Sequence, residues 1–210
     1  MTPTSGTTAA PNPAGICGTV PSATTGTVLF FSDLTAKCAA IGNEDTGDRT
    51  LTHAENGYRV RLKVGPGGEF SGGPDRSQFV LPPTSAVRVE MDAQVTSGKA
   101  VLGIACHHSD RGNISKEYRL GVGTDGSSTI EAGLPFQTIA SGSASVTLHA
   151  GFNHFRADCV APTLTLFVNG QQVVTGQDDQ LAGTLAGVFV RSLDAAGAEV
   201  VFTNLLITTP

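Results

Sequence analysis

The sequence predicts an all-β protein folded as an antiparallel β-sandwich. Its 210 residues contain many short runs in which apolar and polar side chains alternate, and glycine, proline or polar residues separate these runs. No amphipathic helical pattern lies between them, and the abundant threonine, valine and glycine favour strands and turns. A chain of this length fits one large all-β domain.

The clearest strand signals lie between Phe155 and Val174. Apolar residues alternate with polar ones in two runs, first Phe155, Ala157 and Cys159, then Leu164, Leu166 and Val168. Asn169-Gly170 is the dipeptide that a two-residue type I′ turn requires, because both central residues of that turn have positive φ. We expect a hairpin in which the runs of this stretch face each other across Asn169-Gly170.

The N-terminal residues 1–15 are rich in threonine, proline and alanine and carry no charge. Such a segment buries too little apolar surface to offset its ordering entropy, so we expect a flexible tail followed by one domain over residues 16–210. Similar segments often tether exported domains to a lipid anchor or a membrane helix. We therefore expect an export signal or anchor to precede Met1 in the natural protein.

The remaining strands follow in order along the chain. They are predicted at 27–34, 58–64, 87–95, 99–106, 117–122, 129–134, 144–150, 185–190 and 199–208. The alternation is strictest at 58–64 and 87–95, and it places Tyr58 in the core. The polar stretch 39–56 and the Gly/Pro-rich stretch 65–75 are predicted to be loops.

The four cysteines predict two disulfides and hence an oxidising compartment. We favour the pairs Cys17–Cys38 and Cys106–Cys159, because the second would join two predicted core strands. Four buried free thiols in a cytosolic protein are the alternative. The net charge of −5 and the scattered basic residues disfavour nucleic acid and anionic lipid as partners, and no apolar run predicts direct membrane insertion.

The order of several segments resembles the concanavalin A-like, laminin-G-type jelly rolls of exported bacterial proteins. The resemblance lies in VRVEMDAQV, LGIACHHSDRGNISKEYRLGVGTDG, HFRADCVAPTLTLFVNGQQVVTG and the closing LAGTLAGVFVRS and AEVVFTNLLIT segments. It implies a concanavalin A-like jelly roll over roughly residues 29–208. The closing motif reads Phe202-Thr203-Asn204, without the aspartate that the family often has.

Catalytic relatives of this fold carry carboxylates at alternate positions of one strand, as acid and base in glycoside hydrolysis. Glu90 and Asp92 match two of these positions, but Gln94 stands at the third and cannot act as a general acid. The solvated face of an ordinary strand is the stronger interpretation. Glu90 and Asp92 are therefore only weak catalytic candidates.

No cofactor or metal site is predicted, although calcium remains an alternative. Asn43, Glu44, Asp45 and Asp48 form one acidic segment and Asp178-Asp179 another, and relatives of this fold often hold one calcium ion. In Cys106-His107-His108, adjacent histidines of a strand point to opposite faces, which disfavours a shared ion. His53, His149 and His154 have no evident partner in the sequence.

The segment from His107 to Lys116 and the strand after it are our first choice for a ligand site. It combines an aromatic ring, two cations and hydroxyl or amide groups, which suit sugar hydroxyls or a carboxylate. The candidate ligand-binding residues are His108, Asp110, Arg111, Asn113, Tyr118 and Arg119.

Taken together, the sequence favours an exported, non-catalytic domain that binds a glycan or another cell-envelope component, either as a secreted domain or as the sensor ectodomain of a tethered surface protein. A glycoside hydrolase or lyase on the same fold is the second hypothesis, because fold does not fix function. A module that adheres to another protein is the third.

Overall fold

The computed structural model describes residues 15–74, 86–111, 114–143 and 146–210. Within these ranges the chain forms sixteen β-strands and one short 3-10 helix, Ala36–Cys38. No helix in the described ranges has the length and apolar character needed to cross a membrane. The predicted tail, apart from Gly15, lies outside the described residues.

The strands belong to two sheets, and the chain crosses between them several times. In order they are β1 (Ile16–Cys17), β2 (Val28–Ser32), β3 (Glu44–Asp45), β4 (Arg49–Ala54), β5 (Gly57–Leu62), β6 (Glu69–Gly72), β7 (Ala86–Gly98), β8 (Ala100–Arg111), β9 (Ile114–Gly123), β10 (Ser127–Gly133), β11 (Phe136–Ser143), β12 (Asn153–Val160), β13 (Thr163–Val168), β14 (Gln171–Gln177), β15 (Leu185–Ser192) and β16 (Ala198–Thr208).

Ten strands form one sheet, in the order β14-β13-β12-β7-β16-β5-β4-β3, with β2 pairing both β16 and β1. The other six form the second sheet, in the order β11-β10-β9-β8-β15-β6. Within the described ranges the pairing is antiparallel, except for the two-residue pair of β1 and β2. The two sheets confirm the predicted antiparallel β-sandwich.

The core lies between the sheets and follows the alternation of the strands. In β7, Val87, Val89, Met91 and Ala93 are fully buried, while the residues between them face outward. The same rule buries Tyr58, as the sequence predicts. Each sheet therefore has one outer face, and the two outer faces lie on opposite sides of the sandwich.

Both favoured disulfides are present. Cys17 and Cys38 join the N-terminal segment to the 3-10 helix, with 5.5 Å between their Cα atoms. Cys106 on β8 is bonded to Cys159 on β12, so this bond links the two sheets through the core.

Two predicted loops contain strands. The segment 39–56 includes β3 and β4. The sequence did not predict these strands, because Leu51 is the one fully apolar side chain that β4 buries in the core and the rest of the segment is mostly polar. His53 also turns inward, where its ring nitrogens lie 2.7 Å from the Leu34 carbonyl and 2.6 Å from the Ile41 carbonyl. The glycine-rich segment 65–75 contains the short edge strand β6, which buries Phe70.

The predicted strand 144–150 is wrong where it can be compared. Residues 144 and 145 lie outside the described ranges, and residues 146–150 form no strand. Asn153 holds this segment as a loop, because its side chain accepts a hydrogen bond from the His149 amide and donates to the carbonyls of His149 and Gly151. The strand that precedes this segment is β11, which was not predicted and which pairs with β10.

The predicted hairpin turn at Asn169-Gly170 is present, but it connects a different pair of strands from the one predicted. Asn169 and Gly170 both have positive φ, 51° and 79°, and they connect β13 to β14. The runs at 155–159 and 164–168 do pair with each other, but their turn is Ala161-Pro162. The stretch is thus a three-stranded meander.

Removal of the core disulfide is expected to destabilise the domain more than removal of the N-terminal one. A chain-entropy estimate gives about 4 kcal/mol for Cys106–Cys159, which are 53 residues apart, and about 3 kcal/mol for Cys17–Cys38, which are 21 apart. Urea unfolding of C106A/C159A and C17A/C38A, followed by circular dichroism, measures both losses. A larger loss in C17A/C38A would contradict the central role of the inter-sheet bond.

Candidate ligand-binding site

A network of charged side chains lies on the outer face of the six-stranded sheet. Tyr118 and Leu120 of β9 point into the core, so Glu117 and Arg119 point outward. Although they belong to an outer face, Glu117 is only 3 % exposed and Arg119 only 6 %. Buried charges of this kind require partners, since desolvation of an unpaired charge is costly.

The partners come from β9 itself and from three other strands of the same sheet, β6, β10 and β15. Arg119 Nε donates to Glu117 Oε1 at 2.6 Å, and Arg119 Nη1 donates to Glu69 Oε2 on β6 at 2.8 Å. Arg191 Nε on β15 lies 3.5 Å from the same Glu69 oxygen. The Arg191 guanidinium also makes a bidentate pair with the Glu131 carboxylate on β10, with N–O distances of 2.5 and 3.0 Å. We call Glu69, Glu117, Arg119, Glu131 and Arg191 the charged network.

Glu117 has two further neighbours. Ser71 Oγ donates to Glu117 Oε2 at 2.9 Å, and His108 Nδ1 lies 2.8 Å from the same oxygen. Burial alone would raise the pKa of Glu117, but the hydrogen bond of His108 and the charge of Arg119 outweigh it and lower the pKa below the ordinary range. Glu117 is therefore an ionised acceptor at neutral pH.

Aromatic rings and glycine shape the surface around this network. The guanidinium carbon of Arg119 lies 3.8 Å from the centre of the Phe136 ring and 5.7 Å from that of Phe189. Phe189 in turn lies across Gly121, where an added Cβ would come within 2.5 Å of the ring. Glycine at this position of β9 therefore leaves room for the Phe189 ring, while Arg119 stacks on Phe136.

An open cavity of about 280 Å³ adjoins the network. Glu69, Ser71, His108, Glu117 and Arg119 line its polar side, while Phe136 and the half-exposed Leu134 contribute apolar surface. A few fixed polar groups beside an apolar wall are typical of small-molecule sites. The cavity is the candidate ligand-binding site.

The structure brings together only part of the residue set predicted for a ligand. His108 and Arg119 both line the cavity, whereas Tyr118 is fully buried on the core side and cannot offer its ring to the same surface. The Tyr118 hydroxyl instead donates to Asp178. Asp110 and Arg111 belong to β8, but their side chains are not described, and Asn113 lies outside the described residues.

The segment predicted as the ligand loop is largely a hairpin. Strand β8 continues through Arg111 and pairs with β9, with one extra residue at His107-His108. His107 has a φ of 53° at this bulge and is 2 % exposed, with Nε2 3.2 Å from the Cys159 carbonyl. The bulge therefore sends His107 inward and His108 outward toward Glu117.

The weak catalytic candidates Glu90 and Asp92 lie on the outer face of the other sheet. His154 connects them, with Nδ1 2.9 Å from Asp92 Oδ1 and Nε2 3.1 Å from Glu90 Oε2. Asn204 Nδ2 donates to Asp92 Oδ2 at 2.7 Å from a second strand bulge. His154, which has no evident partner in the sequence, thus has two.

The hydrogen bonds in this cluster favour the charged forms of His154, Glu90 and Asp92. The hydrogen bonds to Asp92 and then Glu90 raise the pKa of His154 to about 9. The His154 hydrogen bond lowers the pKa of Glu90, and at Asp92 the hydrogen bonds from His154 and Asn204 outweigh burial and lower the pKa as well. A general acid needs the opposite shift, so neither carboxyl is prepared for that role.

The acidic segments considered for calcium are engaged in other contacts. Arg49 pairs with Glu44 through two bonds of 2.9 and 3.0 Å, Lys63 Nζ donates to Asp45 at 2.6 Å, and Asp178 accepts from Tyr118. Among the residues that the structure describes, no group of three or more His, Cys, Asp or Glu side chains is arranged to hold a metal ion.

Sequence reasoning missed most of the charged network. Glu69 lay in a predicted loop, and Glu131 and Arg191 come from strands far apart in sequence. One signal was available, because Glu117 and Arg119 are two residues apart on a strand and must share a face. Phe136 gave no signal, since its strand was not predicted.

No protein-family model matches the chain, and no curated protein sequence does. Solved structures do match. A protein of unknown function with a galectin-like fold from Bacillus subtilis has a TM-score of 0.62 and 11% identity, over 88% of this chain and 96% of the other. The carbohydrate-binding module CBM66 from the same organism has a TM-score of 0.54 and 13% identity, over 77% and 92%.

A beta-glucanase from Bacillus licheniformis also matches, with a TM-score of 0.55 and 10% identity, over 89% of this chain and 100% of the enzyme chain. Identities this low show the fold alone. The protein therefore has a jelly-roll β-sandwich fold, as the sequence predicts. Structures with this fold include a binding module and an enzyme, so the fold does not select between them.

The His154 cluster predicts a pH dependence of stability. The pKa of His154 rises from an ordinary 6.5 to about 9 in the folded protein, so its contribution is complete below about pH 6.5 and is lost as the pH rises through about 9. The side chain is 48 % exposed, which limits the contribution to about 1 kcal/mol or less. Melting temperatures of H154Q should therefore fall less steeply across this range than those of the wild type.

The exposed His149 provides the matched control, and H149Q should keep the wild-type slope. If H154Q and the wild type lose stability in parallel as the pH rises, the His154 cluster does not contribute as described.

Proposed function

We propose that this protein is an exported, non-catalytic carbohydrate-binding domain whose site is the cavity beside the charged network. The observation that carries the proposal is the arrangement of Glu117 and Arg119, which are buried, mutually paired and adjacent to an open cavity. Sugar hydroxyls both donate and accept hydrogen bonds, so a paired carboxylate and guanidinium can serve each hydroxyl in turn. The apolar C–H face of a sugar ring fits against Phe136 and Leu134.

The rigidity of the network supports binding. Its side chains are already held by one another, and Arg119 is also held by the Phe136 ring, so little rotamer freedom remains to be lost when a ligand enters. The likeness to a carbohydrate-binding module is in keeping with this role. The two disulfides are in keeping with an oxidising, exported location.

Hydrolysis receives less support from the same groups. A glycosidase requires a carboxylic acid that stays protonated near neutral pH and a second carboxylate nearby. The pKa values of Glu117, Glu90 and Asp92 are all lowered. Glu117 also lies on the opposite outer face of the sandwich from Glu90 and Asp92.

A glycan array followed by isothermal titration calorimetry tests the proposal. We expect binding to at least one glycan, and a loss of about tenfold or more in affinity in F136A, equivalent to about 1.4 kcal/mol. F167A is the matched control, because Arg156 stacks on Phe167 at 3.9 Å on the other sheet, as Arg119 stacks on Phe136 at 3.8 Å.

F167A should bind as tightly as the wild type. Equal losses in both variants, or a loss in F167A alone, would contradict the assignment of the site. Absence of binding to every glycan would contradict the function, and turnover of a bound glycan would favour the hydrolase.

A further inference from the structure

A second cavity, of about 510 Å³, lies beside the turn between β10 and β11. It extends toward the end of β14 in the other sheet, where Gln177 and Gln180 contribute to its wall. It is distinct from the first cavity, because it contains none of the charged network.

One residue belongs to both cavities. Leu134 lines the first and the second, and its side chain is 49 % exposed. The residues that follow Leu134 in sequence line different cavities. Phe136 lines the first cavity, and Pro135 and Gln137 line the second. The β10–β11 turn is therefore an apolar ridge with a cavity on each side.

The polar groups of the second cavity are mainly uncharged. Gln137, Gln177 and Gln180 are exposed primary amides, and each can donate to and accept from a hydroxyl or acetamido group. Ile139 and Leu181 supply partly buried apolar surface. The charged residues here are Lys116 and Asp178, and Asp178 already accepts a hydrogen bond from Tyr118.

The arginines described around the first cavity are paired with carboxylates. Arg49 is paired with Glu44, Arg119 with Glu117 and Glu69, and Arg191 with Glu131. An acidic sugar would have to compete with these carboxylates for a guanidinium. A neutral ligand needs no such exchange, since its hydroxyls can bond to the existing pairs.

From these observations we infer that the ligand is a neutral oligosaccharide that crosses the Leu134 ridge and occupies both cavities, so that a single sugar fills only part of the site. The inference rests on the proposed function and goes further by naming the charge and the minimum extent of the ligand. The first cavity orients one sugar unit against Phe136. The second binds later units through the three glutamines.

Calorimetry with oligosaccharides of one to six units tests this directly, using neutral glucose, galactose and fructose series together with oligogalacturonates. In the series that binds, affinity should rise by about tenfold or more as chain length allows the second cavity to fill. Q137A/Q177A should remove that gain and leave the affinity of the shortest ligand unchanged. Q171A/Q172A, with two exposed glutamines of β14 that line neither cavity, should behave as the wild type.

The outcomes separate the two proposals. If short and long neutral sugars bind with the same affinity, or if Q137A/Q177A keeps the gain, the second cavity takes no part and the inference fails while the proposed function stands. A preference for oligogalacturonate over every neutral series overturns the neutral ligand. If no sugar of any length binds, the proposed function fails and the inference fails with it.

Discussion

Two sheets can share one apolar core only if every strand turns alternate residues inward, and this constraint determines where each polar group of the protein lies. On β9 the burial of Tyr118 and Leu120 sends Glu117 and Arg119 to one outer face. On β7 the burial of Val89 and Met91 sends Glu90 and Asp92 to the other. The two sets of carboxylates therefore cannot meet in one site, and only the first adjoins the proposed binding cavity.

Two departures from the alternation place polar side chains near the carboxylates. At His107-His108 one extra residue in β8 releases His108 toward Glu117, directly after the cysteine that bonds the two sheets. At Asn204, with a φ of 55°, an extra residue in β16 turns the amide toward Asp92. Each bulge disrupts the hydrogen bonding between the paired strands. Each also changes the direction of a polar side chain relative to its direction in a regular strand.

The sequence predicted the fold well because alternation and turn residues are local signals. Strands such as β7 and β16, the buried Tyr58 and both cysteine pairs were predicted from the sequence. Strands β4 and β6 were not, because the polar β4 and the glycine-rich edge strand β6 carry little apolar alternation. The structure brings together only part of the residue set predicted for a ligand. His108 and Arg119 line the first cavity, whereas Tyr118 points into the core. Glu69 and Arg191 approach Arg119 only through the pairing of strands that are distant in sequence.

The most direct test of the account is an NMR titration of the labelled domain with a glycan that binds on the array. The account predicts that the largest amide shifts fall on Ser71, Glu117, Arg119 and Phe136, on the outer face of the six-stranded sheet. Shifts concentrated around Glu90 and His154, on the outer face of the ten-stranded sheet, would contradict it.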